Sequence, residues 1–204
     1  VWPEMILAQR AEWAAAVDSA LAGIAQASGA WQVIGFRDRD QPRNLARIID
    51  PTGRPRAEYQ KTHLVTAMET SQPGTEPAPI LDTPLGRLGV MICNDDVFTD
   101  VARSLGRRGA QLVADPTWDW ADVASRHATI PRLRAVENRV SIIRATQGGV
   151  SQLIDPRGRI VASHSVLDDP HQVLVGDLPL GDAGSLYSRV GDVFAWAVVV
   201  LLAG

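Results

Sequence analysis

The stretch Gly89-Val90-Met91-Ile92-Cys93-Asn94-Asp95-Asp96 decides how this chain reads. An apolar run, of the kind a buried strand carries, breaks into polar residues at the sulfur of the only cysteine in 204 residues. Behind it, Thr99 to Arg108 reads as a helix closed by Gly109. A strand ending on a thiol and leading into a helix places that thiol at the C-terminal edge of a sheet, where open α/β sheets form their sites. The helix dipole is expected to favour the thiolate there. The chain also has a single lysine, Lys61, against nineteen arginines. An ammonium is a compact point charge that can approach a reacting atom, whereas a guanidinium is a planar fork. A third piece is Val1-Trp2-Pro3-Glu4, a carboxylate just after another apolar strand end. Glu, Lys and Cys, each at an element end, point to thiol-based acyl chemistry.

Working outward, apolar residues at helical spacing (Ile6, Leu7, Trp13, Val17, Leu21, Ile24) predict a helix over about Met5 to Ala27, ended by Ser28-Gly29. Trp31 to Phe36 and Asn44 to Ile49 read as strands, and the turn signal Asp50-Pro51-Thr52-Gly53 starts a hairpin leading to Tyr59 and Lys61. Ser71 to Pro79 is a Pro/Gly-rich loop. Ile80 to Thr83 and Leu88 to Ile92 flank Pro84-Leu85-Gly86-Arg87 as a second hairpin. Leu112 to Ala114 reads as a strand, Asp115 to Trp120 as a loop, and Ala121 to Asn138 as one helix. Val140 to Thr146, Val150 to Ile154, Arg159 to Ser163 and Val173 to Val175 complete the strands. Asp155-Pro156-Arg157-Gly158 repeats the grammar of the first turn. Strands alternating with helices and hairpins predict an α/β domain with a mixed sheet.

At this length the chain is most simply one domain, and 46% apolar residues can fill a core. A net charge of −3 with scattered arginines carries no nucleic-acid footprint. One cysteine forms no internal disulfide. The four histidines lack metal-ligand spacing, so no metal and no cofactor is expected. There is no signal-peptide pattern. Val193 to Ala203 is an uncharged apolar run, short of the roughly 20 residues of a membrane span. It reads either as a short buried strand or, preferably, as the start of a C-terminal transmembrane helix, with Tyr187, Arg189 and Trp196 suited to an interface.

Taken together, Trp-Pro-Glu (residues 2–4), Tyr59-x-Lys61-x-His63-Leu64-Val65 and Gly89-Val90-x-Ile92-Cys93 resemble the carbon–nitrogen hydrolase (nitrilase) superfamily. Arg134-Ala135-Val136-Glu137-Asn138, Arg144-Ala145-Thr146 and Gly149 to Arg159 extend the likeness over most of the chain. Leu186-Tyr187-Ser188-Arg189-Val190-Gly191-Asp192, leading into the apolar run, is similar to the end of the apolipoprotein N-acyltransferases. The chain departs from them in the Asp115–Trp120 segment and in Thr66-Ala67-Met68-Glu69. The resemblance implies an αββα sandwich, N-terminally truncated here, with a catalytic domain over 1–180 and a juxtamembrane segment and helix start over 181–204. It implies a Glu4–Lys61–Cys93 triad, with Glu4 as general base, Lys61 and the Asn94 N–H on the oxyanion, and a thioester on Cys93.

Glu69 matches a second glutamate of the family that supports the lysine, and Asp95 either orients the site or N-caps the following helix. Trp118, Trp120 and His127 are candidates for the substrate pocket. Arg134 and Glu137, three apart on a helix, are expected to pair with each other. The implied partners are a phospholipid acyl donor, an apolipoprotein acceptor and the bacterial cytoplasmic membrane, with the catalytic domain on its outer face. The alternative is an amidase or nitrilase acting on a small amide or nitrile. A third reading is a binding domain whose cysteine is inert. The chain on its own is expected to be unstable or inactive.

Overall fold

The structure is a computed structural model describing residues 1–169, 173–182 and 184–203. One sheet holds β1 (Leu7–Gln9), β2 (Gln32–Asp38), β3 (Arg43–Ile49) and β4 (Pro55–Gln60) in that order, with β1 parallel to β2 and the other pairs antiparallel. The second runs β10-β9-β8-β7-β6-β5. Its members are β5 (Ile80–Thr83), β6 (Gly86–Val90), β7 (Leu112–Trp118), β8 (Ser141–Gln147), β9 (Val150–Ile154) and β10 (Ile160–Ser165). Its centre, β6-β7-β8, is parallel and its flanks are antiparallel.

Period-2 alternation explains the layers. On β2 and β3, Ile34, Phe36, Leu45 and Ile49 face helix α1 (Ala14–Ser28), packing on Leu21 and Ala25. The intervening Val33, Ala46 and Ile48 face the other way and share one core with Val90, Val113 and Ile142 of the second sheet. Helices α2 (Thr99–Arg107) and α4 (Ile130–Asn138) add Val101, Leu105 and Ala135 to that core. The result is the α/β sandwich of two sheets that the resemblance implied, and both sheets are mixed.

Several sequence expectations need correction. The helix begins at Ala14, not Met5, because Leu7–Gln9 is taken as an edge strand by β2 and Ala11–Trp13 is a 3₁₀ turn. Residues 1–3 are not a strand, although the Trp2 N–H reaches the Val33 carbonyl at 2.8 Å. The Asp115–Trp120 loop is strand as far as Trp118, since parallel pairing with β8 overrides Pro116. The single helix from Ala121 to Asn138 is broken into α3 (Ala121–His127) and α4 at Thr129, ahead of Pro131. Pro131 has no N–H for the preceding turn and must sit near a helix start. Residues 173–175 form no strand. The tail forms α5 (Leu186–Val190) and α6 (Val193–Ala203), so the apolar run is a helix and not a buried strand. All of α6 is exposed, and no helix of the described residues is long and apolar enough to cross a membrane.

Both Asp-Pro-x-Gly turns form alike. Asp50 Oδ1 accepts from the Thr52 and Arg54 N–H, and Asp155 Oδ1 from the Arg157 and Arg159 N–H. Each ends on a glycine with positive φ, +84° at Gly53 and +73° at Gly158. The Arg134–Glu137 pair also forms, at 3.1 Å.

Beneath the C-terminal ends of the parallel strands lies a buried ionic network. The Arg144 guanidinium meets Asp96 at 3.2 Å, Asp115 at 3.4 Å and Asp119 at 2.6 Å. His127 bridges Asp119 and Asp96 at 2.6 and 2.8 Å. Burial pushes Asp115 well above the usual carboxylate range, with the Asp96 charge adding to it. Burial would lower His127, but the hydrogen bonds it donates to Asp119 and Asp96 overcome it and lift the imidazole to about 9.

Two outcomes are expected. Arg144→Leu strips the cation from three buried carboxylates and lowers stability by about 3–5 kcal/mol in urea unfolding; a loss below about 1 kcal/mol would contradict the buried pairing. A raised histidine stabilises fully below its unfolded value and loses that contribution as pH rises through the folded value. Stability therefore falls between pH about 6.5 and about 9, and His127→Gln flattens that slope.

Candidate active site

Alternation along β4 sets the lysine. Ala57 and Tyr59 turn into the core between the sheets, and the next residue of that parity is Lys61. Its N–H bonds the Asn44 carbonyl of β3 at 2.9 Å, holding it in sheet register past the end of the strand. Its side chain is 1% exposed. The ammonium donates to Glu4 Oε1 at 2.8 Å and Glu69 Oε1 at 2.5 Å. Burial would drive the lysine toward neutrality, yet the carboxylates of Glu4 and Glu69 that it bonds hold it above its usual range and protonated. An ammonium has three donors, so one N–H is left over.

Glu4 links the two sheets. Its N–H bonds the Thr117 carbonyl of β7 and its carbonyl accepts from Gln147 Nε2 of β8. Its carboxylate accepts from Asn44 Nδ2 of β3 at 2.6 Å and from Lys61. The chain passes so close that a Cβ on Gly35 would overlap Pro3 O and lie 2.6 Å from Glu4 Cα. Glu69 accepts from the Val65 N–H and from Asn44 Nδ2 as well as from Lys61. Asn44 thus holds both carboxylates against one ammonium.

Cys93 follows β6 and opens a 3₁₀ turn, Cys93–Asp96. The expected helix does form from Thr99, but the 3₁₀ turn and Val97-Phe98 lie between it and the sulfur. The dipole argument therefore does not apply, and burial, with the Glu4 charge next, raises the thiol well above its usual range. A neutral thiol needs a base at the moment of attack. Cys93 takes φ +47°, a strained setting for a non-glycine residue. Its N–H bonds Asp115 Oδ1 at 3.1 Å, tying the turn to the Arg144 network. Asp95 does not cap α2, whose N-cap is Phe98; it braces the cysteine turn instead. It accepts from the Ile92 N–H, capping the turn, and from Tyr59 Oη and the Thr62 and His63 N–H, clamping the lysine segment onto the cysteine segment. Burial raises Asp95 to about 6. Asn94 Nδ2 bonds the His63 and Leu64 carbonyls, a further clamp.

Two cavities meet at the sulfur. One, about 260 Å³, is lined by Glu4, Lys61, Glu69 and Met68. The other, about 370 Å³, is lined by Asn94, Val97, Val123, His127 and Ile130. Val65, Cys93, Trp118 and Trp120 belong to both, so the structure brings Glu4, Lys61, Glu69, Cys93 and the two tryptophans together. Cys93 Sγ, a nitrogen of His127 and a carboxylate oxygen of Asp119 lie within 4.8 Å of one another. That trio could in principle hold a metal ion, although both imidazole nitrogens already bond aspartates. Sequence reasoning missed Asn44, Gln147, Asp119 and Arg144; Asn44 and Arg144 had a signal, as polar residues within segments that read as strands.

The carbon–nitrogen hydrolase family model matches residues 1–187. The chain is 38% identical to an apolipoprotein N-acyltransferase of Geobacter metallireducens over 67% of its length and 26% of that protein. It is 38% identical to the nitrilase and fragile histidine triad fusion protein of Caenorhabditis elegans over 63% of its length and 34% of that protein. The chain therefore spans about a quarter to a third of these relatives. Among solved structures, a mutant of the amidase from Nesterenkonia sp. AN1, with acrylamide added at its active-site cysteine, superposes with a TM-score of 0.69. That match has 30% identity over 76% of this chain and 66% of the amidase. On the family match over most of its length, the chain belongs to the carbon–nitrogen hydrolase (nitrilase) superfamily.

Proposed function

We propose that the protein transfers acyl groups through a thioester on Cys93, and that its donor is a phospholipid and its acceptor the N-terminal amine of an apolipoprotein. The observation that carries the chemistry is the convergence of Glu4, Lys61 and Cys93 on one cavity. Glu4 takes the thiol proton as sulfur attacks the acyl carbonyl. The oxyanion forms toward the spare N–H of Lys61 and the backbone N–H of Asn94. Collapse of this intermediate expels the donor's alcohol, which leaves with the proton from Glu4, and the acyl group stays on sulfur. The amine then attacks the thioester, Glu4 receives its proton, and the thiolate departs and is reprotonated.

Charge favours this sequence. At rest one ammonium faces two carboxylates and a neutral thiol. In the tetrahedral intermediate Glu4 is neutral and the negative charge sits on oxygen instead. The total is unchanged and the charge has moved from one neighbour of Lys61 to another. A fixed cation that serves both positions needs no reorganisation in a buried site.

The acyltransferase reading is supported by the 38% identity to the Geobacter metallireducens protein and by the exposed apolar helix α6, which suits a membrane setting on the outer face of the cytoplasmic membrane. On this reading residues 1–180 are the catalytic domain and 181–204 the juxtamembrane segment. The second reading is an amidase acting on a small amide, supported by the amidase superposition. The two differ in the donor, an ester or an amide, and in the second nucleophile, an amine or water. Offered an ester donor and a primary amine together, the protein is expected to give mainly amide; free acid at every amine concentration would select the hydrolase.

Further outcomes follow from the same geometry. Glu4→Gln lowers kcat/KM by about 10²–10⁴-fold and Lys61→Met by about 10²–10³-fold. Gly35→Ala, whose Cβ meets the Pro3–Met5 backbone and neither reacting side chain, pushes the Glu4 segment aside and costs up to about 100-fold, with folding intact by circular dichroism. Full activity in Gly35→Ala would contradict the proposed placement of the base.

A further inference from the structure

The second cavity shares Cys93 and Asn94 with the transfers above, but none of Glu4, Lys61 or Glu69 lines it. We infer that it holds the acyl chain of the thioester, and that Val123 and Ile130 set the chain length accepted. This rests on the thioester reading.

The argument is one of directions around a single carbon. In the tetrahedral intermediate that carbon bears four substituents: the sulfur, the oxyanion, the leaving or attacking group, and the acyl chain. Sulfur is fixed by the Cys93 turn. The oxyanion points to Lys61 and the Asn94 N–H. The leaving or attacking group must stand beside Glu4, because its proton passes to or from that carboxylate. Glu4, Lys61 and Glu69 all line the first cavity and none of them lines the second. The acyl chain is left with the side away from the base, which is the second cavity.

The second cavity suits that occupant. Its walls are Val65, Val97, Trp118, Trp120, Val123 and Ile130. A volume of about 370 Å³ is within the range of small-molecule pockets and larger than the space an acetyl group needs. Its polar floor is already engaged, since Asp119 is bonded by His127 and Arg144 and both imidazole nitrogens bond aspartates. The floor therefore offers few unmet hydrogen bonds to a polar ligand, and burying methylenes against the walls is favourable. Arg126 also lines the cavity, and its side chain is exposed rather than buried.

The test uses 4-nitrophenyl acetate and 4-nitrophenyl octanoate, with nitrophenolate release read as kcat/KM and the acyl adduct read by mass. The ratio of octanoate to acetate is the readout, because a merely structural change lowers both rates together. Ile130→Trp and Val123→Trp are expected to lower that ratio by roughly ten-fold or more, and Ile130→Ala to extend the preference to longer chains. Met68→Trp, in the first cavity, is expected to leave the ratio unmoved. A ratio indifferent to all three changes at positions 123 and 130, or one that moves with Met68→Trp instead, would overturn the assignment while leaving the thioester reading intact. Absence of any adduct on Cys93 from either ester would overturn both.

Discussion

One buried ammonium organises this molecule. Placing Lys61 away from water costs several kcal/mol unless partners surround it, and the structure surrounds it with Glu4 and Glu69, both bound in turn by Asn44. These residues come from segments far apart in the chain. The lysine follows a strand of the first sheet, Glu4 hangs from the ends of two strands of the second, and Glu69 closes a loop between the sheets. Satisfying the charge therefore fixes the position of one sheet's rim against the other, and the cysteine turn is drawn to the same point by Asp95.

A second ionic set plays the structural counterpart. Arg144 and His127 neutralise Asp96, Asp115 and Asp119 under the ends of the parallel strands, and Asp115 carries the N–H of the strained Cys93. Of the four non-glycine residues at positive φ among the described residues, Cys93 is the proposed nucleophile, Met5 follows Glu4 and Ala67 lies between Lys61 and Glu69. Such conformations persist only where the surroundings over-determine them, and here hydrogen bonds do so on both sides of the sulfur.

Much of this was legible in the sequence. The apolar run into Cys93, the hairpin turns at Asp50 and Asp155, and the helix closed at Gly109 depend on local pattern, and the structure has them. The lone lysine and cysteine drew attention to groups that the fold does bring together. What escaped depends on pairing between distant segments. Leu7–Gln9 lies within a helical periodicity, and only the edge of β2 makes it a strand. Asp115 to Thr117 look like loop residues until β8 and Arg144 accommodate them. The helix dipole expected at Cys93 failed for a related reason. A four-residue 3₁₀ turn separates the sulfur from the expected helix, and burial then dominates the thiol. The roles of Asn44 and Gln147 follow from contacts across 40 and 143 positions, which no local pattern reports.

The most direct test of the central claim is the acyl-enzyme itself. The protein is mixed with an excess of acyl donor, quenched in acid within the first turnover, and digested for peptide mass spectrometry. The account predicts one acyl mass on the peptide containing Cys93, labile to hydroxylamine as a thioester is, and absent from Cys93→Ala. Turnover that persists in Cys93→Ala, or an acyl mass carried by any other residue, would contradict it.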